Sequence, residues 1–327
     1  MPDRDPPYAP VRLGAHPRPE DVVCELDNVL DSVVLLRSHI PDDAFTAGTL
    51  GTEREGQGVV IGDDGIVLTI GYLITEAEEI WLIGHGGTAV PAHTVAYDQE
   101  TGLGIVQALG TLDAPKIRLG SSAGVEIGES LIIAGEGGRE AAINVQVISK
   151  REFAGSWEYL LEEAIFTAPS HPKWSGAAAI DRTGHLVGIG SLYIQQAVPG
   201  DEQIDGNMIV PIDILKPVIN DLLTYGRPNK PPRPWLGMTT AEADEKLVVA
   251  SVAKGGPARR AGIEPGDIVV GVDGEPVVGL AHLFRSVWAL GNAGVTVPLV
   301  LNRDGRALTV AVTSSARDDV LKKPRRH

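Results

Sequence analysis

The sequence predicts a mainly β chain of two domains, and three observations predict it. Its 327 residues exceed one typical domain and suit two, at roughly 100 to 200 residues each. The 39 glycines and 23 prolines cut the apolar sequence into short runs closed by turn residues, as in strands joined by tight connections. RPNKPPRP at 227–234 is stiff and polar, the composition of an interdomain linker.

The elements follow in chain order. Residues 1–20 are Pro-rich and are expected to be poorly ordered. In PEDVVCELDNVL, Val23, Leu26 and Leu30 share one helical face, and Cys24 beside them reads as a packed core thiol. Strands are expected at VVLLRSH (33–39), GVVIG (58–62), IVLTI (66–70), IWLIG (80–84) and AVPAHTV (89–95), where β-branched residues alternate between turns such as DDG and GHGG. A further set runs through LGIVQAL (103–109), SLIIAG (130–135), INVQVIS (143–149), AIFTA (164–168), AAAID (177–181) and LVGIGS (186–191). Two groups of about six strands are expected, a spacing suited to barrels or sandwiches. In 211–226, Ile214, Leu215, Val218, Leu222 and Leu223 recur at helical spacing, Pro217 predicts a kink or a helix start, and Gly226 supplies the stop. The first domain is thus placed at 21–226, the second at 235–316, and a basic tail at 317–327.

Composition also excludes. A formal net charge of -15 argues against nucleic acid, whose phosphates require clustered Lys and Arg, and the terminal KKPRRH reads as a solvated tail. The single cysteine allows no internal disulfide, no Cys/His cluster has zinc spacing, and no cofactor is expected. GEGG at 135–138 lacks the Lys and Ser/Thr of a phosphate loop, and Asp63 and Asp64 read as hairpin-turn residues. No signal peptide and no run of 18 apolar residues is written, so the expectation is a cytoplasmic protein without a membrane span; a periplasmic one would need a start further upstream.

Three segments of the first domain, in order and at matching separations, resemble proteases of the HtrA type, whose peptidase domain is a chymotrypsin- or trypsin-like double β-barrel. GQGVVIGDDGIVLTIGYLI (56–74) is similar to the family's GSGVII strand, turn and TNNHVV, and the resemblance puts Tyr72 at the position of the base histidine. DQETGLGIVQ (98–107) resembles DPRTDLAVLK, with Gly102 at the aspartate position. HPKWSGAAA (171–179) resembles NPGNSGGPL, leaving Ser175 as the nucleophile and placing Lys173 and Ser175 at the oxyanion-hole positions. Residues 235–316 resemble the PDZ domains of bacterial members: WLGM (Trp235, Leu236, Gly237, Met238) matches the loop whose backbone amides capture a terminal carboxylate, and GPARRAGIEPGD matches the segment that follows.

The resemblance implies peptide chemistry, and the residues qualify it. A serine hydroxyl attacks only after a neighbouring base takes its proton, and a carboxylate normally orients that base. Here both partners are replaced. A phenol of pKa about 10 is neutral at pH 7 and cannot take over the base's role. Lys173, Trp174, Ala177 and Ala178 rebuild the surroundings of Ser175. In the PDZ domain nothing is missing, and Leu283 and Val287, on a helix expected at 281–290, are expected to line the groove. The leading expectation is therefore an inactive pseudoprotease that binds peptide or protein C-termini, with trimers implied by the resemblance. Two alternatives stay open: an active serine endopeptidase whose base is another histidine (His171, His85, His93 or His185), and a ligand cleft lined by Tyr72, His171, Trp174 and Ser175.

Overall fold

The computed structural model describes residues 13–195, 197 and 204–323, which divide into two compact units. The first takes in the chain through Arg151 together with Glu163–Pro228; the second takes in Asn229–Lys322 and also Glu152–Glu162. The short Glu152–Glu162 segment, expected inside the first domain, is thus grouped with the second unit.

Six strands open the first unit: β1 (Val33–His39), β2 (Glu53–Val60), β3 (Ile66–Ile70), β4 (Glu79–Ile83), β5 (Ala89–Tyr97) and β6 (Leu103–Ala108). They close into a barrel in the order β1-β2-β3-β6-β5-β4. Strand alternation explains the sides: Val34, Leu36 and Ser38 of β1 are buried, whereas Arg37 and His39 face out. The first six strands of the sequence reading, 33–39 through 103–109, are all present.

The second sheet holds β7 (Arg118–Leu119), β8 (Ser130–Ala134), β9 (Ala142–Gly155), β10 (Tyr159–Ala168), β11 (Ala178–Ile180), β12 (His185–Ile194) and β13 (Gly206–Pro211). Their order is β11-β8-β9-β10-β13-β12-β7, and β11 also pairs with β12, which returns the sheet on itself. The five strands expected after 103–109 are present as β8 to β12, and the two-residue β7 and the strand β13 make the sheet seven. Ile133, Val145, Ile165, Ala177, Ala179, Val187 and Ile209 form its core.

Three local expectations change. The N-terminal helix is only Leu26–Leu30, and Val23 is exposed rather than on its buried face. Cys24 lies against Gly184, where a Cβ would meet its Sγ at 2.7 Å, and burial raises its thiol pKa. Within 1–20, described residues from Leu13 onward are anchored: the Gly14 amide donates to Asn144 O and the Asn144 amide to Ala15 O, while 1–12 lie outside the described residues. The helix near Pro217 splits into a 3-10 turn, Ile212–Ile214, and α-helix Ile219–Tyr225, stopped by Gly226 at φ 72.

The second unit is a sheet of β14 (Met238–Ala243), β15 (Lys246–Val252), β16 (Ile268–Val272), β17 (Glu275–Pro276), β18 (Thr296–Arg303) and β19 (Arg306–Thr313). The order β14-β15-β16-β18-β19 leaves β14 at an edge. The helix Leu280–Ala289 packs Leu283, Phe284 and Val287 into the core. The start of the expected basic tail is structured, since Arg317–Asp319 forms a 3-10 turn; residues 324–327 lie outside the described residues.

Candidate functional site

Strand β3 ends at Ile70, and the 3-10 turn Gly71–Leu73 that follows presents Tyr72. Ser175 comes from the loop between β10 and β11. That loop is clamped from beneath, because the Gln57 amide donates to Ser175 O at 2.7 Å and the Gly176 amide to Gly190 O at 2.8 Å. Gly176 has φ 76, and a Cβ there would stand 2.0 Å from Gln57 O, so only glycine fits behind the serine.

The Tyr72 hydroxyl lies 2.8 Å from Ser175 Oγ and 2.8 Å from the Ser191 carbonyl oxygen. A phenol has one proton, and a carbonyl can only accept. The consistent arrangement sends the Tyr72 proton to Ser191 O and lets Ser175 donate its own proton to Tyr72 Oη. Burial raises the Tyr72 pKa far above its ordinary value, outweighing the opposing Ser175 hydrogen bond. The serine therefore faces a neutral hydroxyl.

Gly102 is close behind: its carbonyl accepts from the Gly71 amide at 2.8 Å, and its φ is 73. No carboxylate arises at this position. Buried Asp98 nearby accepts from the Glu100 and Thr101 amides, both at 3.2 Å, within its own turn.

Lys173 stands, by the resemblance, at an oxyanion-hole position. Its amide instead donates to His171 Nδ1 at 3.1 Å, while His171 Nε2 donates to Ala141 O at 3.0 Å. Both nitrogens of this buried, neutral ring are thus committed, and burial lowers its pKa. His171 braces the loop through a further bond from its own amide to Asn207 Oδ1 at 2.6 Å. His85 and His93 are exposed, and His185 bonds Thr183. Among the described residues, none of these rings hydrogen-bonds Ser175. The structure thus brings Tyr72, Ser175 and Gly102 to one neighbourhood and turns the Lys173 donor away from it.

In the second unit, Trp235, Leu236 and Gly237 lead into β14, which Met238 opens. Gly237 has φ 72, with Trp235 and Pro257 packed where a Cβ would go. The amides of Leu236 and Gly237 converge on the Glu158 carboxylate at 3.2 and 3.0 Å. Burial pushes the Glu158 pKa up to about 7, against the lowering effect of the Leu236, Gly237 and Met238 amides and of Arg317. Leu283 and Val287 are buried, in one cluster with Leu236, Met238 and Leu160. An open cavity between β14 and the helix Leu280–Ala289 is lined by Ser156, Thr240, Glu242, Val278, Leu280 and His282 among others. Glu158 escaped the sequence reading because its amide partners lie 78 and 79 positions away. One local signal could have found it: an acid set between Trp157 and the buried pair Tyr159 and Leu160.

Among the described residues, no group of three or more His, Cys, Asp or Glu side chains is placed to hold a metal ion, and no helix is long and apolar enough to cross a membrane.

Comparison with known proteins agrees with this architecture. A trypsin-like peptidase domain model matches residues 56–189, and a PDZ domain model matches 234–313. A probable periplasmic serine endoprotease, DegP-like, of Pseudomonas fluorescens is 27% identical over 275 residues, covering 80% of this chain and 56% of the relative. The Chlamydia trachomatis protein of the same description is 27% identical over 272 residues, covering 79% and 53%. The chain thus spans a little over half the length of these relatives. Among solved structures, the HtrA-type protease AlgW with a decapeptide superposes with a TM-score of 0.53 at 20% identity, covering 90% of this chain and 99% of that one. The serine endoprotease from Yersinia pestis gives 0.51 at 22%, covering 90% and 99%. These likenesses establish the fold.

Proposed function

We propose that this chain, an HtrA-type protein in which a trypsin-like peptidase domain is joined to a PDZ domain, binds peptide or protein C-termini through its PDZ groove and does not hydrolyse them. The observation that carries the reading is a carboxylate held by the converging backbone amides of Leu236 and Gly237. A peptide's terminal carboxylate presents the same two oxygens, and successive backbone amides are the standard means of holding them. The apolar cluster around Leu236, Met238, Leu283 and Val287 would receive the last side chain.

The absence of hydrolysis follows from the chemistry of the other unit. Tyr72 in place of the base and Gly102 in place of the orienting carboxylate leave Ser175 with its proton. In a dissected protease of another fold, loss of the base alone costs about 10^6 in turnover. Turning one oxyanion donor away, as with the Lys173 amide, costs about 10^2 to 10^3 by itself. A base supplied by His171 is disfavoured, because both of its nitrogens are already bonded.

Fluorescence polarisation with a library of free-acid peptides and amidated copies of each tests the binding. At peptide concentrations high enough to compete with Glu158, the expectation is binding that amidation weakens at least tenfold. Binding indifferent to amidation would overturn the carboxylate reading.

A further inference from the structure

Residues Glu152–Glu162 make the contacts a bound peptide would make. They carry the turn between β9 and β10, and every contact described here lies within the second unit. The Thr240 amide on edge strand β14 donates to Ser156 O at 3.2 Å, a main-chain bond of the kind an added strand forms. Two residues on, Glu158 sets its carboxylate on the Leu236 and Gly237 amides. Leu160 then joins the buried cluster of Leu236, Met238, Leu283 and Val287. The flanks are pinned by charge, since Arg285 pairs with both Glu152 and Glu162, at 2.6 Å for the latter, and Arg317 donates to Trp157 O at 2.9 Å. Main-chain pairing at the edge, an anionic group in the amide loop and an aliphatic side chain in the apolar cluster are three separate requirements of such a groove, and one eleven-residue stretch meets all three.

The fit carries a cost that a true terminus would not bear. Glu158 sits at φ 62, in the left-handed region that disfavours a residue with a Cβ. A free C-terminus delivers its carboxylate from a backbone with no such restriction.

We propose that Glu152–Glu162 is a resident ligand of the groove, with Glu158 in the place of a terminal carboxylate, so that an outside peptide binds by displacing it. The proposal rests on the carboxylate-groove reading above. It makes the groove of this chain regulated: the peptides it accepts are those that outcompete Ser156, Glu158 and Leu160 together.

The test uses the full chain in three forms, wild type, Glu158→Gly and Glu158→Gln. Glycine tolerates the positive φ and removes the carboxyl group; glutamine keeps the shape and replaces one accepting oxygen with an NH2 group, which cannot accept from a backbone amide. The probe is a fluorescein-labelled synthetic peptide of residues 152–162, amidated so that Glu158 supplies its central carboxylate, alongside a pool of free-acid heptapeptides. The expected result is that both probes bind the Glu158→Gly chain at least tenfold more tightly than wild type, with Glu158→Gln between them, all three chains melting cooperatively. Equal binding of the free-acid pool to wild type and both variants would overturn the resident ligand and leave the carboxylate groove standing. If neither probe binds the folded Glu158→Gly chain, the groove reading falls and takes the resident ligand with it.

Discussion

The loop around Ser175 and the loop around Gly237 set the same physical problem, backbone donors to be aimed at an anionic oxygen, and the two treat it in opposite ways. In the first unit the Lys173 amide is spent on His171, and the serine proton is spent on Tyr72. In the second, the amides of Leu236 and Gly237 converge, and a carboxylate fills them. In each loop the donors just named have partners, as buried polar groups must. The difference is that the Lys173 amide and the Ser175 hydroxyl are taken by groups of their own scaffold, while the Leu236 and Gly237 amides are taken by a side chain that copies a ligand.

The largest effect expected from breaking this contrast lies at the two glycines that shape the loops. Gly176→Ala would drive a Cβ to 2.0 Å from the backbone oxygen of Gln57, which cannot move aside, at a φ of 76. A loss of about 3 to 5 kcal/mol in urea denaturation is expected. Gly237→Ala meets the edge of the Trp235 ring at 2.9 Å, a side chain able to shift, and is expected to cost about 1 to 3 kcal/mol while abolishing carboxylate-dependent binding. Equal, small losses at both positions would remove the claim that the serine loop is fixed by its backbone.

A smaller but more specific effect concerns pH. The Glu158 pKa is raised to about 7, whereas an exposed glutamate titrates near 4.3. Because the docked form holds its proton more tightly than the released form, docking is strongest below the ordinary pKa and weakens as pH rises through about 7. The charge acting there is Arg317, which favours the carboxylate; Arg285 pairs with Glu152 and Glu162 on either flank. Carbon-13 NMR of the side-chain carboxyls is expected to show Glu158 titrating near 7 and returning to the ordinary range when excess free-acid peptide occupies the groove. A midpoint near 4.3 in the peptide-free chain would mean that Glu158 is not lodged where it is described.

Smaller still is Tyr72→Phe. Removing the hydroxyl frees Ser175 and leaves the Ser191 carbonyl without this donor, so a loss of about 1 to 2 kcal/mol is expected, with no gain in peptide hydrolysis. A gain in hydrolysis would show that Tyr72 had been holding back an otherwise competent serine.

How much of this was legible beforehand depended on the range over which each feature is determined. Strands β1 and β3 were placed residue for residue, because VVLLRSH and IVLTI carry their own alternation and end at local turns. The meeting of Tyr72 with Ser175 was legible too, since the resemblance aligns both by identity and order along the chain. Strand β13 was not, for GNMIVP has no alternation and runs straight into the next helical pattern. The direction of the Lys173 amide was also hidden, because it is set by where the His171 ring is buried. Glu158 was the deepest omission: its meaning lies in two amides 78 and 79 positions further along, and its one local mark is an acid set among aromatic and apolar neighbours. Leu283 and Val287 were assigned to the groove wall by helical spacing, and they lie buried in the cluster that Leu160 shares.

The central claim is that the chain keeps a carboxylate-holding groove and has given up the serine chemistry, and the second half of it can be tested in one gel. Fluorophosphonate labelling of the full chain, wild type against Ser175→Ala, is predicted to give the same background signal in both; labelling of wild type that disappears in Ser175→Ala would contradict the account.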